Sequence, residues 1–205
     1  MRWAKILPNT HIEIARRTYK KLNLQEIGII ESKFVRGSVI PDIYPKYKIK
    51  QHYYNESKDY IILKAHIITN VIKLTPQLAP LFSLDLGVIC HFISDYCCKP
   101  HNEYETCRRF KTAKDHIKYE IDLNNYVKNK NNLNTRHIFI DKVDEKKISE
   151  ILENIQEQYN SEDTKDFNRD ITFANASCEI VMNNIKEQAL ESSRSRIILP
   201  NLVIE

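Results

Sequence analysis

Two pairs of side chains with metal-binding chemistry, each pair four residues apart, stand out in the sequence. His91 and Asp95 lie in the run HFISD, and His116 and Glu120 lie in the run HIKYE. If both runs are helical, a spacing of four residues places an imidazole and a carboxylate on one helix face. Imidazole nitrogen and carboxylate oxygen are ligands that Zn²⁺ accepts. The pattern therefore predicts a divalent metal site.

A third histidine, His101, lies between the two pairs and directly follows Pro100. Proline disfavours the helical conformation in the residue before it, so residues 96–100 are predicted to end the first helix. Each group alone has a simpler interpretation, as a core histidine, a capping aspartate, a surface histidine or a surface hydrogen bond. Three such groups around one helix end, followed by a second pair, favour metal binding.

The remaining sequence consists of elements that must position these groups. Apolar residues at helical spacing predict helices within residues 12–22, 60–78, 86–96, 103–127, 143–159 and 166–190, the last two without clustered chemistry. Residues 124–134 are predicted as a loop or frayed helix end, and residues 196–205 as an extended tail. Only 3 glycines also favour helices over a turn-rich β fold. We predict an all-α helical bundle with a metal-binding cleft, as one domain over residues 1–205 with the metal site in residues 1–122.

Composition and charge narrow the class of protein. Lysine and arginine total 31 against 27 acidic residues, a formal charge of +4 that permits an anionic partner without demanding nucleic acid. The first residues lack the features of a signal peptide, and no run of about 18 apolar residues suggests a membrane span. Five cysteines, an odd number, are typical of reduced thiols in a cytosol. We expect a cytoplasmic protein with no transmembrane segment, and the oligomeric state is left open.

Other histidines and one aspartate have less specific contexts. His11 lies in the first turn of the first predicted helix, where a capping or solvent role is the simpler interpretation. Pro41 is expected to end any regular element, which places Asp42 on a rigid loop as a functional or a turn-forming carboxylate. His52 precedes the next helix. His66 falls within an apolar stripe, so we interpret it as a core or interface histidine.

Two further patterns leave alternatives open. A segment rich in tyrosine and lysine, residues 44–60, could stack bases or pack against a quaternary ammonium group, or it could be a solvated loop. Cys98 and His101 have the spacing of zinc ligands, with Cys97 and Cys107 nearby, so a structural Cys/His zinc site is an alternative. That site would leave both histidine–carboxylate pairs unexplained, so buried free thiols are favoured.

The order of these residues over positions 1–120 resembles the bacterial zinc-dependent phospholipase C family. The resemblance rests on His11, GSVIPD ending at Asp42, His52, His91-x-x-x-Asp95, Pro100-His101 and His116-x-x-x-Glu120. It implies an all-helical bundle with a trinuclear zinc cleft, related to fungal single-strand-specific nucleases. By position it implies one zinc held by Asp42, His52, His91 and Asp95, and a second held by His101, His116 and Glu120.

The resemblance also implies a third zinc, which Asp95 would bridge and His11 would bind. In the family the other ligands are the amino and carbonyl groups of an N-terminal tryptophan. Here Trp3 follows Met1 and Arg2, so its nitrogen is an amide, a far poorer zinc ligand than a free amine. We therefore expect two zinc ions and no full third site.

These ligand types suit catalysis. Imidazoles and carboxylates in pairs leave coordination positions open, and two metals about 3.5–4 Å apart can share a hydroxide that attacks a phosphodiester. Asp42 is the candidate catalytic carboxylate that orients the nucleophile. We predict a zinc-dependent phosphodiesterase of the phospholipase C type, acting on a phospholipid or other phosphodiester with transient membrane contact. The alternatives are a single-strand nuclease, which the tyrosine–lysine segment favours, and an inactive metal-stabilised binding domain.

Overall fold

The computed structural model describes residues 9–44, 52–102, 113–129, 147–163 and 166–197. Within these ranges the chain forms eight α-helices and no strand, so the predicted all-α fold is confirmed. The helices are α1 (Asn9–Leu22), α2 (Glu31–Gly37), α3 (Ile40–Ile43), α4 (Tyr54–Leu74), α5 (Ala79–Tyr96), α6 (Ala113–Asn129), α7 (Ile148–Ser161) and α8 (Phe167–Ile197). Short 3₁₀ turns occupy Leu24–Ile27, Pro76–Leu78 and Lys99–His101. The single domain over residues 1–205 stays a prediction.

Helix α5 lies at the centre of the bundle. Every residue from 86 to 96 is buried, and α1, α2, α4 and α8 all pack against this helix. A helix that is apolar on all sides is stable only where other elements surround it. The last two turns of α5 therefore carry His91 and Asp95 into the interior, and the helix ends at Tyr96 before Pro100, as predicted.

One segment corrects the expectation that nothing in the chain could span a membrane. By length and composition alone, Pro76–Tyr96 is long and apolar enough to cross a bilayer. Most of this segment is buried inside the protein, and its last turns hold the ionisable side chains of His91 and Asp95. In the structure it is the core helix of the bundle.

A very close approach between α2 and α5 depends on two glycines. Gly37, the last residue of α2, faces Gly87 in α5. A Cβ on Gly37 would overlap the carbonyl oxygen of Leu84 and lie 2.9 Å from the Gly87 Cα atom. A Cβ on Gly87 would likewise overlap the carbonyl oxygen of Phe34. Only glycine permits this backbone contact, which fixes α3, and with it Asp42, close to α5.

Several predicted boundaries are wrong. Pro41 lies in the first turn of α3, where a missing N–H leaves no hydrogen bond unmade, so Asp42 sits on a short helix rather than a loop. Helix α6 continues to Asn129, with Asn124 and Val127 buried against the bundle, within the segment predicted as a loop or frayed helix end. Residues 103–112 of a predicted helix, residues 45–51 of the tyrosine–lysine segment, and the tail beyond residue 197 lie outside the described residues.

His66 is exposed on α4, so it is not a core histidine, and the alternative that it lies at an interface stays a prediction. Its Nε2 atom accepts a hydrogen bond from Asn70 Nδ2 at 2.9 Å. The buried stripe of α4 instead includes Ala65 and Ile68. Because consecutive residues are about 100° apart around a helix, the residue after Ala65 is turned away from the core.

Candidate metal centre

The structure brings the eight candidate ligands together near the C-terminal end of α5. Neighbouring donor atoms fall into four overlapping groups within which all distances are at most 4.8 Å. The contributing elements are α1 (His11), α3 (Asp42), the bend before α4 (His52), α5 (His91 and Asp95), the Lys99–His101 turn (His101) and α6 (His116 and Glu120). Their assignment as metal ligands stays a prediction, and their geometry tests whether a metal fits.

The first group consists of Asp42, His52, His91 and Asp95. His91 Nε2 lies 3.3 Å from His52 Nδ1, 3.6 Å from Asp42 Oδ1 and 3.1 Å from Asp95 Oδ2. His52 Nδ1 lies 2.9 Å from Asp95 Oδ2 and 3.9 Å from Asp42 Oδ1. Ligands about 2.0–2.2 Å from a tetrahedral zinc lie roughly 3.3–3.6 Å from one another. These five separations, from 2.9 to 3.9 Å, bracket the spacing of a zinc tetrahedron.

The second group joins the turn after α5 to α6. His101 Nε2 lies 3.2 Å from His116 Nε2 and 3.1 Å from Glu120 Oε1, and His116 Nε2 lies 2.8 Å from the same carboxylate oxygen. Three converging protein ligands are the number that catalytic zinc sites use when they keep a position open. The spacing thus suits a second ion with room for water or substrate.

Asp95 lies between the groups, and its two carboxylate oxygens face different histidines. Its Oδ2 atom belongs to the first group, whereas its Oδ1 atom lies 3.3 Å from His11 Nε2 and 4.0 Å from His101 Nε2. His11 Nε2 is also 3.9 Å from Asp42 Oδ2. The arrangement suits a carboxylate that bridges two ions, while Trp3 lies outside the described residues.

Three buried carboxylate oxygens of the centre have no hydrogen-bond partner among the described residues. They are Asp42 Oδ2, Asp95 Oδ2 and Glu120 Oε2. Asp95 Oδ2 has two imidazole nitrogens within 3.1 Å, but neither is aligned as a hydrogen-bond donor to it. A buried carboxylate without a partner is costly. At Asp95 Oδ2, nitrogen and oxygen atoms that converge without a hydrogen bond between them fit a shared cation.

Hydrogen bonds outside the centre orient two of the histidines. His91 Nδ1 donates to the Ser38 carbonyl oxygen at 2.9 Å, which leaves the Nε2 atom facing the carboxylates. The Ser94 hydroxyl donates to the His91 carbonyl oxygen at 2.7 Å, so it accepts from His11 Nδ1 at 2.9 Å. Metal-binding histidines are commonly fixed in this way. Neither serine was recognised as part of the site from the sequence.

Charges in the centre shift several pKa values. Burial lowers the pKa of His91, but Asp95 and Asp42 more than offset this and raise it to about 9. Burial opposes ionisation of Glu120, yet hydrogen bonds from the histidines, His101 first, lower its pKa to about 2. Burial likewise acts against ionisation of Asp95, but His101 and His91 hold its pKa well below its usual range. Both carboxylates are therefore ionised at neutral pH and attract cations.

The zinc affinity of the first group should rise with pH up to about 9, because zinc must displace the proton that His91 carries in the metal-free protein. Below the pKa of His91, one displaced proton lowers affinity by about tenfold per pH unit. The same proton stabilises the metal-free fold, fully below about pH 6.5 and progressively less as the pH rises through 9. Competition with a chromogenic chelator at pH 6, 7, 8 and 9 measures the affinity, and equal affinities at pH 7 and 9 would contradict this prediction.

The four cysteines that the structure describes do not take part in the centre. Cys97 is buried with its Sγ atom 3.3 Å from Ser177 Oγ, and burial raises its pKa to about 12. Burial also raises the pKa of Cys98 well above its ordinary value, so both thiols stay protonated. None of the metal-spaced groups within the described residues includes a cysteine. The predicted buried free thiols are confirmed for Cys90, Cys97, Cys98 and Cys178, while Cys107 lies outside the described residues.

A half-open cavity of about 30 Å³ borders the centre between α1, α5, α6 and α8. Asp95 and Glu120 form part of its wall, and Ile14, Leu123 and Ile171 supply apolar surface. No lysine or arginine of the described residues lines it. The cavity thus gives a small, largely apolar space beside two of the carboxylates.

The prediction that the last two helices carry no clustered chemistry is also wrong. Arg169 and Asp170, near the start of α8, are both buried and bonded to Tyr159 of α7. In the sequence they are an ordinary pair of opposite charges, and no local pattern distinguishes them from a solvated pair. Only the packing of α8 against the bundle places them in the interior.

Comparison with known proteins identifies one family. A family model described as zinc dependent phospholipase C matches residues 10–170. No curated protein and no solved structure matches the chain. The matched region contains all eight candidate ligands and continues through α7 into the first turn of α8.

Proposed function

Because the chain belongs to the zinc-dependent phospholipase C family, a family of hydrolases, we propose that it hydrolyses the phosphodiester of a phospholipid with the help of bound zinc. The observation that carries this proposal is the convergence of histidine nitrogens on buried carboxylate oxygens, one of which, Asp95 Oδ2, has no hydrogen-bond partner among the described residues. Such a donor set suits a borderline cation such as zinc.

Two zinc ions are proposed, with separate ligand sets. By the family resemblance and the pairwise distances, the first would be held by Asp42, His52, His91 and Asp95. The second would be held by His101, His116 and Glu120. For a third ion, His11 and Asp95 supply one imidazole and one shared oxygen, which lie 3.3 Å apart. That is fewer than the three protein ligands usual for a catalytic zinc, so a third ion needs a further donor.

When bound, the zinc ions supply Lewis acidity, which lowers the pKa of water and polarises phosphoryl oxygens. The chain's own residues orient the reacting groups. Ser38 fixes the ring of His91, so that its Nε2 atom faces the centre. Asp42 directs Oδ1 towards the first group and leaves Oδ2 buried and unpaired among the described residues. This second oxygen is proposed to accept the proton of the nucleophile and to orient it.

The phospholipid substrate is proposed from the family alone. The cavity beside the centre, at about 30 Å³, has room for a water molecule or two but not for a lipid or a nucleotide. It therefore suits the nucleophile, and a paired assay decides between phospholipid and single-stranded nucleic acid.

The test is a paired assay of the zinc-loaded protein. Phosphatidylcholine vesicles report release of the phosphorylated headgroup, and single-stranded DNA reports nuclease activity, each with chelator and after zinc is restored. We expect headgroup release that the chelator abolishes and zinc recovers. The His66→Asn variant, altered only at an exposed position of α4, should match the unmodified protein.

The other outcomes separate the alternatives. Zinc-dependent cleavage of DNA without lipid hydrolysis would assign a nuclease. Bound zinc with neither activity would indicate a metal-stabilised binding domain. Absence of zinc binding would contradict the metal centre itself.

A further inference from the structure

A single buried carboxylate connects the turn that carries His101 to helix α6. Asp170 of α8 is 1% exposed, and its Oδ2 atom accepts hydrogen bonds from the Lys99 backbone N–H at 2.9 Å and from the Tyr119 hydroxyl at 2.6 Å. Its Oδ1 atom accepts a bond from the Tyr159 hydroxyl at 2.7 Å and two from Arg169, at 3.1 and 3.0 Å. One side chain thus joins α6, α7, α8 and the turn.

The network around Asp170 is fully satisfied, which makes it rigid. The Arg169 guanidinium lies 4.1 Å from the Tyr159 ring centroid and balances the charge of Asp170. Burial, reinforced by Asp170, raises the pKa of both Tyr119 and Tyr159, so these hydroxyls remain donors throughout the working pH range. A buried polar network in which each member is bonded holds one arrangement of its elements.

The two partners of Asp170 Oδ2 are close in sequence to the ligands of the second group. Lys99 and His101 belong to the same short 3₁₀ turn, and Tyr119 directly precedes Glu120 on α6. Because one oxygen atom binds both segments, it limits how far the turn can move from α6. The separation of His101 Nε2 from Glu120 Oε1, 3.1 Å, depends on that limit.

We propose that Asp170 is a positioning residue for the second metal site, holding His101 at binding distance from His116 and Glu120 without touching metal or substrate. This inference rests on the proposed function, since it requires these three ligands to bind zinc. It assigns a role to a part of the chain outside the eight ligands. A residue that only stabilises the bundle should affect both metal sites equally. Loss of Asp170 should instead weaken one metal site more than the other.

The chain offers a matched pair of tyrosines for the test. Tyr119 and Tyr126 both lie on α6 and pack against Phe167 of α8, with ring centroids 4.9 and 5.7 Å away. The Tyr119 hydroxyl binds Asp170, whereas the Tyr126 hydroxyl binds Asn168 Oδ1 at 3.4 Å. Replacing either with phenylalanine removes one hydroxyl from the same interface, but only the first change reaches Asp170.

The experiment measures zinc affinities of the full chain by stepwise competition with a chelator, for Tyr119→Phe, Tyr126→Phe and Asp170→Asn. We expect Tyr119→Phe to weaken one of the two zinc ions by about tenfold, at the lower end of the range for outer-shell partners. Asp170→Asn should weaken the same ion by about a hundredfold and change the visible spectrum of the cobalt-substituted protein. Tyr126→Phe should leave both ions unchanged.

Any other result contradicts either the positioning role of Asp170 or the proposed function. Equal affinities in Tyr119→Phe and Tyr126→Phe, or equal weakening of both ions in Tyr119→Phe, would overturn the positioning role. If Asp170→Asn does not fold, the Tyr119→Phe comparison still decides. An unmodified protein that binds no zinc would instead overturn the proposed function. These failures are distinguishable because the affinities are measured without substrate.

Discussion

Replacing Asp95 with asparagine should weaken zinc retention at the first group and lower hydrolytic activity by at least about a hundredfold, since even outer-shell partners of metal ligands are worth about 10–100-fold. Asp95 is the residue whose two oxygens face separate histidines. Oδ2 lies 2.9 Å from His52 Nδ1, and Oδ1 lies 3.3 Å from His11 Nε2. No other single substitution in the metal centre is expected to disturb contacts with as many histidine nitrogens.

The asparagine side chain fails at this position for two reasons. One of its terminal atoms is an NH₂ group, which has no lone pair for a metal, so one of the two contacts is lost in either orientation. The substitution also removes a buried negative charge that attracts cations and raises the pKa of His91. The loss should therefore appear in metal content as well as in the rate.

Metal analysis of the purified proteins and the vesicle assay measure both effects. The unmodified protein should hold two zinc ions, and His66→Asn serves as the control because His66 is exposed on α4. If both variants lose zinc equally, the histidines have been assigned incorrectly. If Asp95→Asn retains two ions and full activity, Asp95 is not a zinc ligand.

The part of the centre that the sequence could predict is the part encoded by local spacing. His91 and Asp95 share a helix, so a separation of four residues sets their mutual distance, and the same holds for His116 and Glu120. Pro100 marks the end of α5 by its effect on neighbouring backbone angles. These relations need no knowledge of how the helices pack.

Contacts between distant residues could not be predicted in the same way. His91 binds the Ser38 carbonyl oxygen across 53 residues, and Asp170 binds the Lys99 N–H across 71. Neither contact has a periodicity or spacing that marks it in one sequence. His66 shows a related limit, because an apolar stripe covers only part of a helix and a position 100° away already faces solvent.

The second large effect is expected from the contact between Gly37 and Gly87, because this contact links the fold to the metal centre. Gly37→Ala should lower the free energy of unfolding by about 3 kcal/mol or more, above most overpacking changes. Its Cβ atom would meet the backbone carbonyl of Leu84 rather than a movable side chain, so α2 and α5 must separate. Against a total stability of about 5–15 kcal/mol, this is a large fraction.

Separation of these helices should also weaken zinc binding at the first group. Ser38, whose carbonyl oxygen orients His91, directly follows Gly37, and α3 with Asp42 begins two residues later. Both would move away from α5 with the end of α2. The expected result is therefore a joint loss of stability and of affinity for one ion, rather than a loss of stability alone.

Gly28→Ala is the matched control, because it strains the chain without crowding the centre. Gly28 has φ +83°, and a new Cβ would find its nearest neighbours in Ala79 and Pro80, at 3.6 Å. The left-handed conformation should cost about 1–2 kcal/mol and leave zinc affinity unchanged, since Ala79 begins α5 at the end far from His91. Chemical unfolding of the zinc-free proteins, followed by chelator competition, measures both quantities. If Gly37→Ala costs no more stability than Gly28→Ala, or keeps its full zinc affinity, the close contact does not position the centre.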